Sequence, residues 1–395
     1  MKIMIGCDTY PPDVNGAARF AERLSVGLVG RGHEVHVLAA SVAGPAGIEE
    51  RDGVIVHRIS SVRYSFHENF NICLPWRTRP EVKAVMDRVR PDVVHAQAHF
   101  IVGRYTVRSA TELGIPLVAT NHFMPENLTD QLPIPIHGSV ARLACKLAWK
   151  DLTRVFGQAQ IVTAPTPRAT ELLASEAKIT GALPISCGID SAPYAAAAAA
   201  TAAEPGAVPR ILFVGRLDQE KRVGELIDAA AALPAGTPYE LEIVGDGTMR
   251  EQWKAQVRAR GIEDRTTFRG FISESELVEA YGHCDIFCMP GIAELQSLVT
   301  LEAMSAGKPV IAANAMALPH LVHPGRNGWL YTPGDVAEFT ARLQMLLGDA
   351  DLRRRMGAVS TEIVRRHTLD ATLDTFEDLY RTVQGMAGRA GSAAA

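Results

Sequence analysis

The feature that most constrains the fold is an alternation of short Val- and Ile-rich runs with longer segments whose apolar residues recur at helical spacing. This alternation is typical of βαβ units, which build parallel sheets covered by helices. It occurs once in each half of the chain. The predicted strands are KIMIGC, EVHVLA, VIVHRI, DVVHAQ, PLVATN and QIVTAP, followed by RILFVG, ELEIVG, DIFCMP, PVIAAN and GWLY. The sequence therefore predicts two α/β domains with parallel sheets.

Length and composition agree with two globular domains. The chain has 395 residues, and a domain usually has roughly 150. Hydrophobic residues make up 47% and charged residues 21%, which excludes disorder for the bulk of the chain. The net charge is -4, without the basic excess that nucleic-acid binding needs, so we expect no nucleic-acid partner.

Composition also suggests the domain boundaries. An Ala-rich stretch, 191–208, predicts a linker between a first domain, 1–190, and a second domain, 209–366. The amphipathic segment 367–386 predicts a helix that packs back on the first domain. The small residues of 387–395 predict a flexible tail.

Neither a membrane anchor nor a metal site is expected. No apolar run approaches the roughly 20 residues that span a bilayer, and the start lacks a long apolar signal segment, so we expect a cytoplasmic protein. The only neighbouring cysteines, Cys284 and Cys288, lie in a predicted buried strand, where cysteine acts as a small apolar residue. The single Asp-x-Asp, Asp349 to Asp351, falls between two predicted helices, a poor place for a metal–diphosphate site.

Two segments of the second half carry candidate chemistry. Gly215 ends a predicted strand and is followed by Arg216 and Lys221, cations at a helix start that suit a diphosphate. Further along, the apolar spacing predicts a helix starting near Gln296, with Glu294 just before it and Glu302 about two turns in. Carboxylates accept hydrogen bonds from sugar hydroxyls. Solvated surface charge and helix capping are the alternatives for both segments.

In order, these motifs resemble those of family 4 glycosyltransferases of the GT-B fold. The second half contributes VGRLDQEKRVGELIDA, EIVGDG, FRGFIS and AELQSLVTLEAMSAGKPVIAANAMALPHLV, and the first half contributes TYPPDVNGAARFAERL, RGHEVHVL, DVVHAQ, ATNHFMPENL and ISCGID. The resemblance covers about residues 1–385. It implies two Rossmann-like domains facing each other across a cleft, with the acceptor on the first and a nucleotide-diphosphate sugar on the second, and transfer that retains the anomeric configuration.

The resemblance also implies roles for individual residues. Arg216 and Lys221 would hold the diphosphate, Glu302 the ribose hydroxyls, and Glu294 the transferred sugar. His122, after the strand PLVATN, would contact that sugar. The catalytic residues implied in this way are His122, Arg216, Lys221 and Glu294. Further donor-binding positions would be Asn15, Gly16, Gly215, Gly245, Arg269, Gly270, Phe271, Leu295, Gln296, Ser297, Leu298 and Val299, and acceptor-side candidates are His95, His99 and Glu126.

The sequence departs from the family pattern at two places. Asn15 stands at the first of two positions that are usually glycine, and asparagine tolerates a left-handed backbone. Leu295-Gln296-Ser297 stands where many members have Gly-aromatic-Gly, which weakens any inference about the hexose.

The predicted function is retaining transfer of a hexose, mannose or glucose, from a GDP- or UDP-sugar to a hydroxyl of a lipid or small molecule, similar to bacterial glycolipid mannosyl- and glucosyltransferases. No cofactor beyond the sugar nucleotide is expected. The alternatives are a natural-product glycosyltransferase with a soluble acceptor and a non-catalytic sugar-nucleotide-binding subunit. A dinucleotide oxidoreductase is disfavoured because Gly245-Asp246-Gly247 lacks the third glycine of its fingerprint.

Segment 138–156 allows two interpretations. Arg142, Lys146, Lys150 and Arg154 recur every four residues beside apolar positions, as in helices that dock on anionic lipid at the inner face of the membrane. The same pattern fits a core-facing helix with a solvated basic side.

Overall fold

The chain divides into two compact α/β units in the computed structural model. The first unit comprises Met1–Gly188 and Leu369–Ala395, and the second comprises Ile189–Thr368. The structure describes residues 1–13, 15–42, 44–63, 71–125, 138–201 and 207–393, with 388–393 described by backbone alone.

An eight-stranded sheet forms the core of the first unit, in the order β10-β9-β8-β7-β1-β2-β4-β3. Every neighbouring pair is parallel except β3 with β4. A separate antiparallel pair joins β5 to β6. The strands are β1 Lys2–Gly6, β2 Glu34–Ala40, β3 Gly47–Arg51, β4 Val54–Ile59, β5 Ser61–Arg63, β6 Asn71–Cys73, β7 Val93–Ala96, β8 Leu117–Thr120, β9 Ile161–Ala164 and β10 Leu183–Pro184.

Helices cover this sheet on both faces, which is why its central strands β1, β7 and β8 are almost entirely buried. They are α1 Gly16–Gly30, α2 Pro75–Val89, α3 Ile101–Leu113, α4 Gly138–Phe156, α5 Pro167–Ser175 and α14 Leu369–Ala393. The last helix packs on the first, where the side chain of Leu373 closes against Gly27.

The second unit is built on a six-stranded, wholly parallel sheet in the order β13-β12-β11-β14-β15-β16. Its strands are β11 Arg210–Val214, β12 Glu240–Val244, β13 Thr266–Gly270, β14 Ile286–Met289, β15 Val310–Ala313 and β16 Gly328–Tyr331. Its helices are α6 Ala192–Ala200, α7 Val223–Ala231, α8 Arg250–Arg260, α9 Glu274–His283, α10 Leu298–Ser305, α11 Leu318–Leu321, α12 Val336–Gly348 and α13 Ala350–Val364. Short 3-10 turns occupy Gln219–Lys221, Glu263–Arg265 and Arg365–His367.

The parallel-sheet prediction is confirmed, since every predicted strand is present. The strands that sequence reasoning missed lack a strong apolar pattern. All five residues of β3 are exposed, for example, so nothing in their order distinguishes them from a loop. Cys284 and Cys288 are buried free thiols at β14, as the apolar run CDIFCMP predicts.

Two predicted boundaries differ from the structure. The stretch 191–208, predicted as a linker, contains α6 and belongs to the second unit. This helix is anchored because Tyr194 is buried and its ring packs edge-on against Tyr281, with 5.5 Å between centroids. At the other end of the chain, α14 continues to Ala393, whereas the sequence predicts a flexible tail from 387.

Candidate functional site

Three glycines lie together at the carboxyl ends of strands in the second unit. The amide of Gly245 donates to the carbonyl of Gly270 over 2.9 Å. A Cβ added to Gly245, whose φ is +123°, would lie 1.9 Å from the carbonyl oxygen of Gly215. Because that approach excludes any side chain, glycine is required here, and the backbones after β11, β12 and β13 stay close.

Arg216 follows this glycine turn and is held by two carboxylates. Its guanidinium donates to Asp218 over 2.6 Å and to Glu220 over 2.8 Å. Glu220 is only 5% exposed, and burial raises the pKa of its carboxyl while Arg216 lowers it. Arg216 is thus a half-exposed cation with a fixed direction at the end of β11.

Lys221 reaches across to the loop after β14. Its ammonium donates to Oε1 of Glu294, and both side chains are mostly buried. The loop itself is tied to the same turn, because the amide of Ile292 donates to the carbonyl of Glu220 over 3.0 Å. The carbonyl of Glu294 in turn accepts from the amide of Ala317. These bonds bring together the cation and the carboxylate that the sequence analysis selected 73 positions apart.

Helix α10 begins at Leu298, two residues later than predicted, so Glu302 is its fifth residue and lies just over one turn in. The reason is that Ser297 is extended and serves as the N-cap residue. Its hydroxyl accepts from Thr300 Oγ1 over 2.8 Å and makes no side-chain capping bond to the helix. Amides of a first turn that no side chain caps favour a negatively charged or polarised oxygen.

Glu302 is 1% exposed and lies on the buried side of α10. The hydroxyl of Tyr281, from α9, donates to its Oε2 over 2.9 Å. Tyr281 is itself fully buried, so the carboxylate is held in one direction. Sequence reasoning missed Tyr281, because nothing in the order of residues links the two positions.

The predicted donor-binding positions Arg269, Gly270 and Phe271 lie in different environments. Gly270 lies within the glycine cluster, whereas Arg269 turns away and pairs with Glu242 over 2.8 Å and Glu276 over 3.5 Å. Phe271 is 64% exposed.

On the first unit, Asn15 does not use the left-handed backbone that its residue type tolerates. Its φ is -153°, and its side chain accepts from the amide of Ala18 over 2.9 Å. It is the N-cap of α1, and Gly16 is the first residue of that helix. Capping explains why an asparagine is compatible with this position.

His122 lies just beyond β8, with its ring 4.7 Å from that of Phe20 on α1. Burial lowers the pKa of its imidazole to about 4, so the ring is neutral near pH 7. Among the residues that the structure describes, Nε2 has no hydrogen-bond partner. His122 therefore offers a neutral imidazole at the carboxyl end of a parallel strand.

The acceptor-side candidates are not brought together. His95 is fully buried, with Nδ1 bonded to Tyr380 over 2.8 Å and Nε2 to Thr120 over 2.6 Å, so neither ring nitrogen is available to an acceptor. His99 is packed among aromatic rings, including Phe100 at 4.3 Å, and its Nδ1 lacks a partner among the described residues. Glu126 lies outside the described residues.

In comparison with known proteins, each unit contains a match to a family model. Residues 14–192 match the family model described as Glycosyltransferase Family 4, and residues 199–362 match Glycosyl transferases group 1. The chain is a family 4 glycosyltransferase. The two models together cover every strand of both sheets except β1, and they include the loops that carry the site residues.

Full-length relatives of this glycosyltransferase act on different substrates. It is 29% identical to a GDP-mannose-dependent alpha-mannosyltransferase of Mycolicibacterium smegmatis, over 98% of each chain. It is 28% identical to a glycogen synthase of Mycobacterium tuberculosis, over 90% of this chain and 88% of the relative. The fold matches that of sucrose-phosphate synthase from Thermosynechococcus elongatus, with a TM-score of 0.80 and 21% identity over 97% and 99% of the two chains. The glycosyltransferase thus has the GT-B fold and uses a nucleotide sugar.

Within the described parts of the glycosyltransferase, no group of three or more His, Cys, Asp or Glu side chains is arranged to hold a metal ion. The Asp-x-Asp sequence has a structural role. Asp349 caps α13 by accepting from the amide of Leu352 over 2.7 Å, and Asp351 pairs with Arg354. In the same described parts, none of the helices combines the length and apolarity needed to cross a bilayer.

Proposed function

We propose that this glycosyltransferase transfers mannose from GDP-mannose, with retention, to a hydroxyl of a membrane-associated polyol acceptor. The observation that carries the proposal is the bond between Lys221 and Glu294. It joins a cation suited to a diphosphate and a carboxylate suited to sugar hydroxyls beside the first turn of α10. A site for a sugar diphosphate needs a cation for the phosphates close to acceptors for the sugar hydroxyls.

The charges suit a departing nucleoside diphosphate. Arg216 and Lys221 both bond carboxylates, and an incoming diphosphate would compete for them with its more negative oxygens. As the glycosidic bond breaks, negative charge grows on the phosphate, and fixed cations stabilise it without reorganising. In this proposal Glu302, oriented by Tyr281, accepts hydrogen bonds from the ribose hydroxyls.

Retention follows in this proposal from attack on the face that the diphosphate leaves. The acceptor oxygen forms the new bond to the anomeric carbon while its proton passes to the departing phosphate oxygen. No protein nucleophile is assigned. His122 would contact the transferred sugar as a neutral hydrogen-bonding group, since a pKa of about 4 leaves the imidazole without a positive charge at pH 7.

The choice of donor rests on similarity along the whole chain. The relative from Mycolicibacterium smegmatis aligns over 98% of both chains, and its name specifies GDP-mannose and an alpha linkage. An alpha product from this alpha donor is the retaining outcome. Transfer of glucose from another nucleotide is the second candidate, favoured by the similarity to a glycogen synthase.

A membrane-associated acceptor is supported by the outer face of α4. Val140, Leu143 and Leu147 are 60%, 57% and 58% exposed, at spacings that place them along one side of the helix. Lys146 and Lys150 are exposed on the same helix. The buried side is formed by other residues, namely Trp149, Leu152, Val155 and Phe156. An apolar stripe flanked by lysines is the pattern of helices that bind anionic lipid surfaces.

The test is calorimetric binding of GDP, UDP and ADP, followed by transfer from GDP-mannose to octyl α-D-mannopyranoside with the product anomer read by NMR. We expect GDP to bind at least about tenfold more tightly than UDP or ADP. We expect the product to be α-linked. Glu302→Gln should weaken GDP binding, whereas the exposed Glu251→Gln on α8 should not.

Each other result contradicts a defined part of the proposal. Tighter binding of UDP or ADP would replace GDP-mannose by the second candidate. A β-linked product would overturn retention. Absence of binding by any nucleotide at millimolar concentration would overturn the donor site and favour a non-catalytic role.

A further inference from the structure

Gln97 lies at the end of β7, between the ends of β1 and β8. In the sheet register Gly6 pairs with Ala96, and Ala96 pairs with Ala119. The ladder continues one residue further, because the amide of Gln97 donates to the carbonyl of Gly6 over 2.8 Å. Its backbone is therefore a continuation of the strand at the carboxyl edge of the sheet.

The carboxamide of Gln97 is buried without a hydrogen-bond partner in the part of the chain that the structure describes. The residue is 3% exposed, yet neither Oε1 nor Nε2 makes a hydrogen bond among the described residues. A buried polar group without a partner is costly, and both ends of this side chain are affected. Such a cost is commonly found where a ligand supplies the missing bonds.

The side chain of Gln97 leaves the sheet on the same face as His95, because side chains alternate along an extended strand. That face is occupied by a chain of rings. His95 lies 5.0 Å from Phe376, Phe376 lies 5.9 Å from Phe20, and Phe20 lies 4.7 Å from His122. His122, whose Nε2 is also without a partner among the described residues, therefore belongs to the same face at the same edge.

The surroundings of Gln97 favour a neutral ligand. Burial lowers the pKa of His95 to about 3, with a further contribution from His122, and lowers the pKa of His122 to about 4, so both rings are uncharged. A phosphate or carboxylate would gain no cation from either ring.

We infer that the carboxamide of Gln97 binds neighbouring hydroxyls of an uncharged polyol ring, which is the acceptor of the transfer reaction. A carboxamide offers one acceptor and one donor side by side, which matches two adjacent hydroxyls of a sugar or cyclitol. His122, which would contact the transferred sugar, lies on the same face of the sheet. The ligand's role as acceptor rests on the proposed function. The binding site itself rests on the buried carboxamide of Gln97.

The experiment compares Gln97→Leu with the wild-type chain and with Gln158→Leu, an exposed glutamine of the same unit. Binding of octyl α-D-mannopyranoside, myo-inositol and myo-inositol 1-phosphate is measured by saturation-transfer NMR in the presence of GDP. The acceptor KM, the affinity for GDP and the Tm are measured on the same proteins. Leucine has a similar volume but needs no hydrogen bond.

For Gln97→Leu we expect binding of the neutral polyol to weaken about tenfold or more, with GDP affinity within about twofold of wild type. The Tm should stay the same or rise, because an unpaired buried amide is removed. Gln158→Leu should behave as wild type. A lower Tm with all affinities reduced would show that Gln97 is structural, and overturn the inference.

Two further results would also overturn it: unchanged polyol binding in Gln97→Leu, or tighter wild-type binding of the inositol phosphate than of inositol. The direct binding measurement separates this inference from the proposed function. If no sugar nucleotide is turned over while the polyol binds through Gln97, the proposed function fails and the binding site stands.

Discussion

The hydroxyl of Tyr380 bonds Nδ1 of His95 over 2.8 Å, although the two residues are 285 positions apart. This bond fastens the last helix to the sheet of the first unit. On the other side of the ring, Thr120 bonds Nε2 and is itself 2.6 Å from Thr163. His95 is thus part of a buried hydrogen-bonded chain that joins α14 to three neighbouring strands.

Tyr380→Phe should destabilise the first unit without changing acceptor recognition. The variant leaves Nδ1 of His95 buried and unpaired, which costs about 1–3 kcal/mol and lowers the Tm by about 2–10 °C. Differential scanning calorimetry measures the shift. Tyr239→Phe is the control, since that hydroxyl has no partner among the described residues and its loss should cost nothing. A raised acceptor KM with an unchanged Tm would instead indicate that His95 contributes to acceptor binding.

Lys221→Ala should weaken GDP binding and slow transfer together. The substitution removes a cation beside the growing phosphate charge, and we expect turnover to fall about 10²-fold. Steady-state kinetics and calorimetry measure the two effects. Lys254→Ala is the control, because Lys254 pairs with Glu251 on the outer side of α8. If Lys221→Ala turns over as fast as wild type, Lys221 does not bind the diphosphate.

Tyr281→Phe should reduce GDP affinity while the fold is kept. The variant loses only the hydroxyl that orients Glu302, and a hydrogen bond to a charged group is worth about 1.5–3 kcal/mol. Calorimetry should show GDP binding about tenfold weaker or more, against no change for Tyr239→Phe. Equal GDP affinity in the two variants would mean that the direction of Glu302 does not matter for the nucleotide.

Acid should destabilise the first unit through its buried histidines. Burial lowers the pKa of His57, His95 and His122 to about 4, 3 and 4, from an ordinary value of 6.5. Between pH 6.5 and 4 the unfolded chain binds protons that the folded chain does not, so stability falls as the pH is lowered. Asp8, with a pKa raised to about 6, acts in the opposite direction and offsets part of the loss.

Thermal unfolding between pH 7 and 4.5 tests this dependence. His57→Asn should give a shallower decline of Tm than wild type, and the exposed His283→Asn should leave the slope unchanged. Equal slopes for wild type and His57→Asn would contradict the assignment.

The outer face of α4 should bind anionic membranes. Replacing Leu143 and Leu147 together by glutamate should reduce co-sedimentation with phosphatidylglycerol vesicles about tenfold or more, because apolar area and charge attraction are lost together. Phosphatidylcholine vesicles should bind weakly in every case. Met345→Glu, at an exposed apolar position of α12 in the second unit, is the control. If the double variant binds the phosphatidylglycerol vesicles as well as wild type, α4 does not dock on the membrane and its basic side is simply solvated.

Much of this architecture follows from sequence because it is local. Short apolar runs alternating with amphipathic segments determined two parallel sheets, and the turn after β11 together with Glu294 and Glu302 predicted a donor site in the second unit. Helix α10 begins two residues later than predicted, because the N-cap at Ser297 and not the apolar pattern decides where the helix begins.

What the tertiary structure decided is which side chains meet. Tyr281 holds Glu302, Tyr380 holds His95, and Gln97 is buried at a strand end with no partner among the described residues. Strand periodicity places His95 and Gln97 on the same face of the sheet. Only the packing of α14 supplies His95 with the hydroxyl of Tyr380. The sequence alone determined the sheets and the chemical groups at their edges, because apolar periodicity is a local property. Burial and hydrogen-bond partners are properties of the packed chain, and they separate the structural histidine from the candidate substrate-binding glutamine.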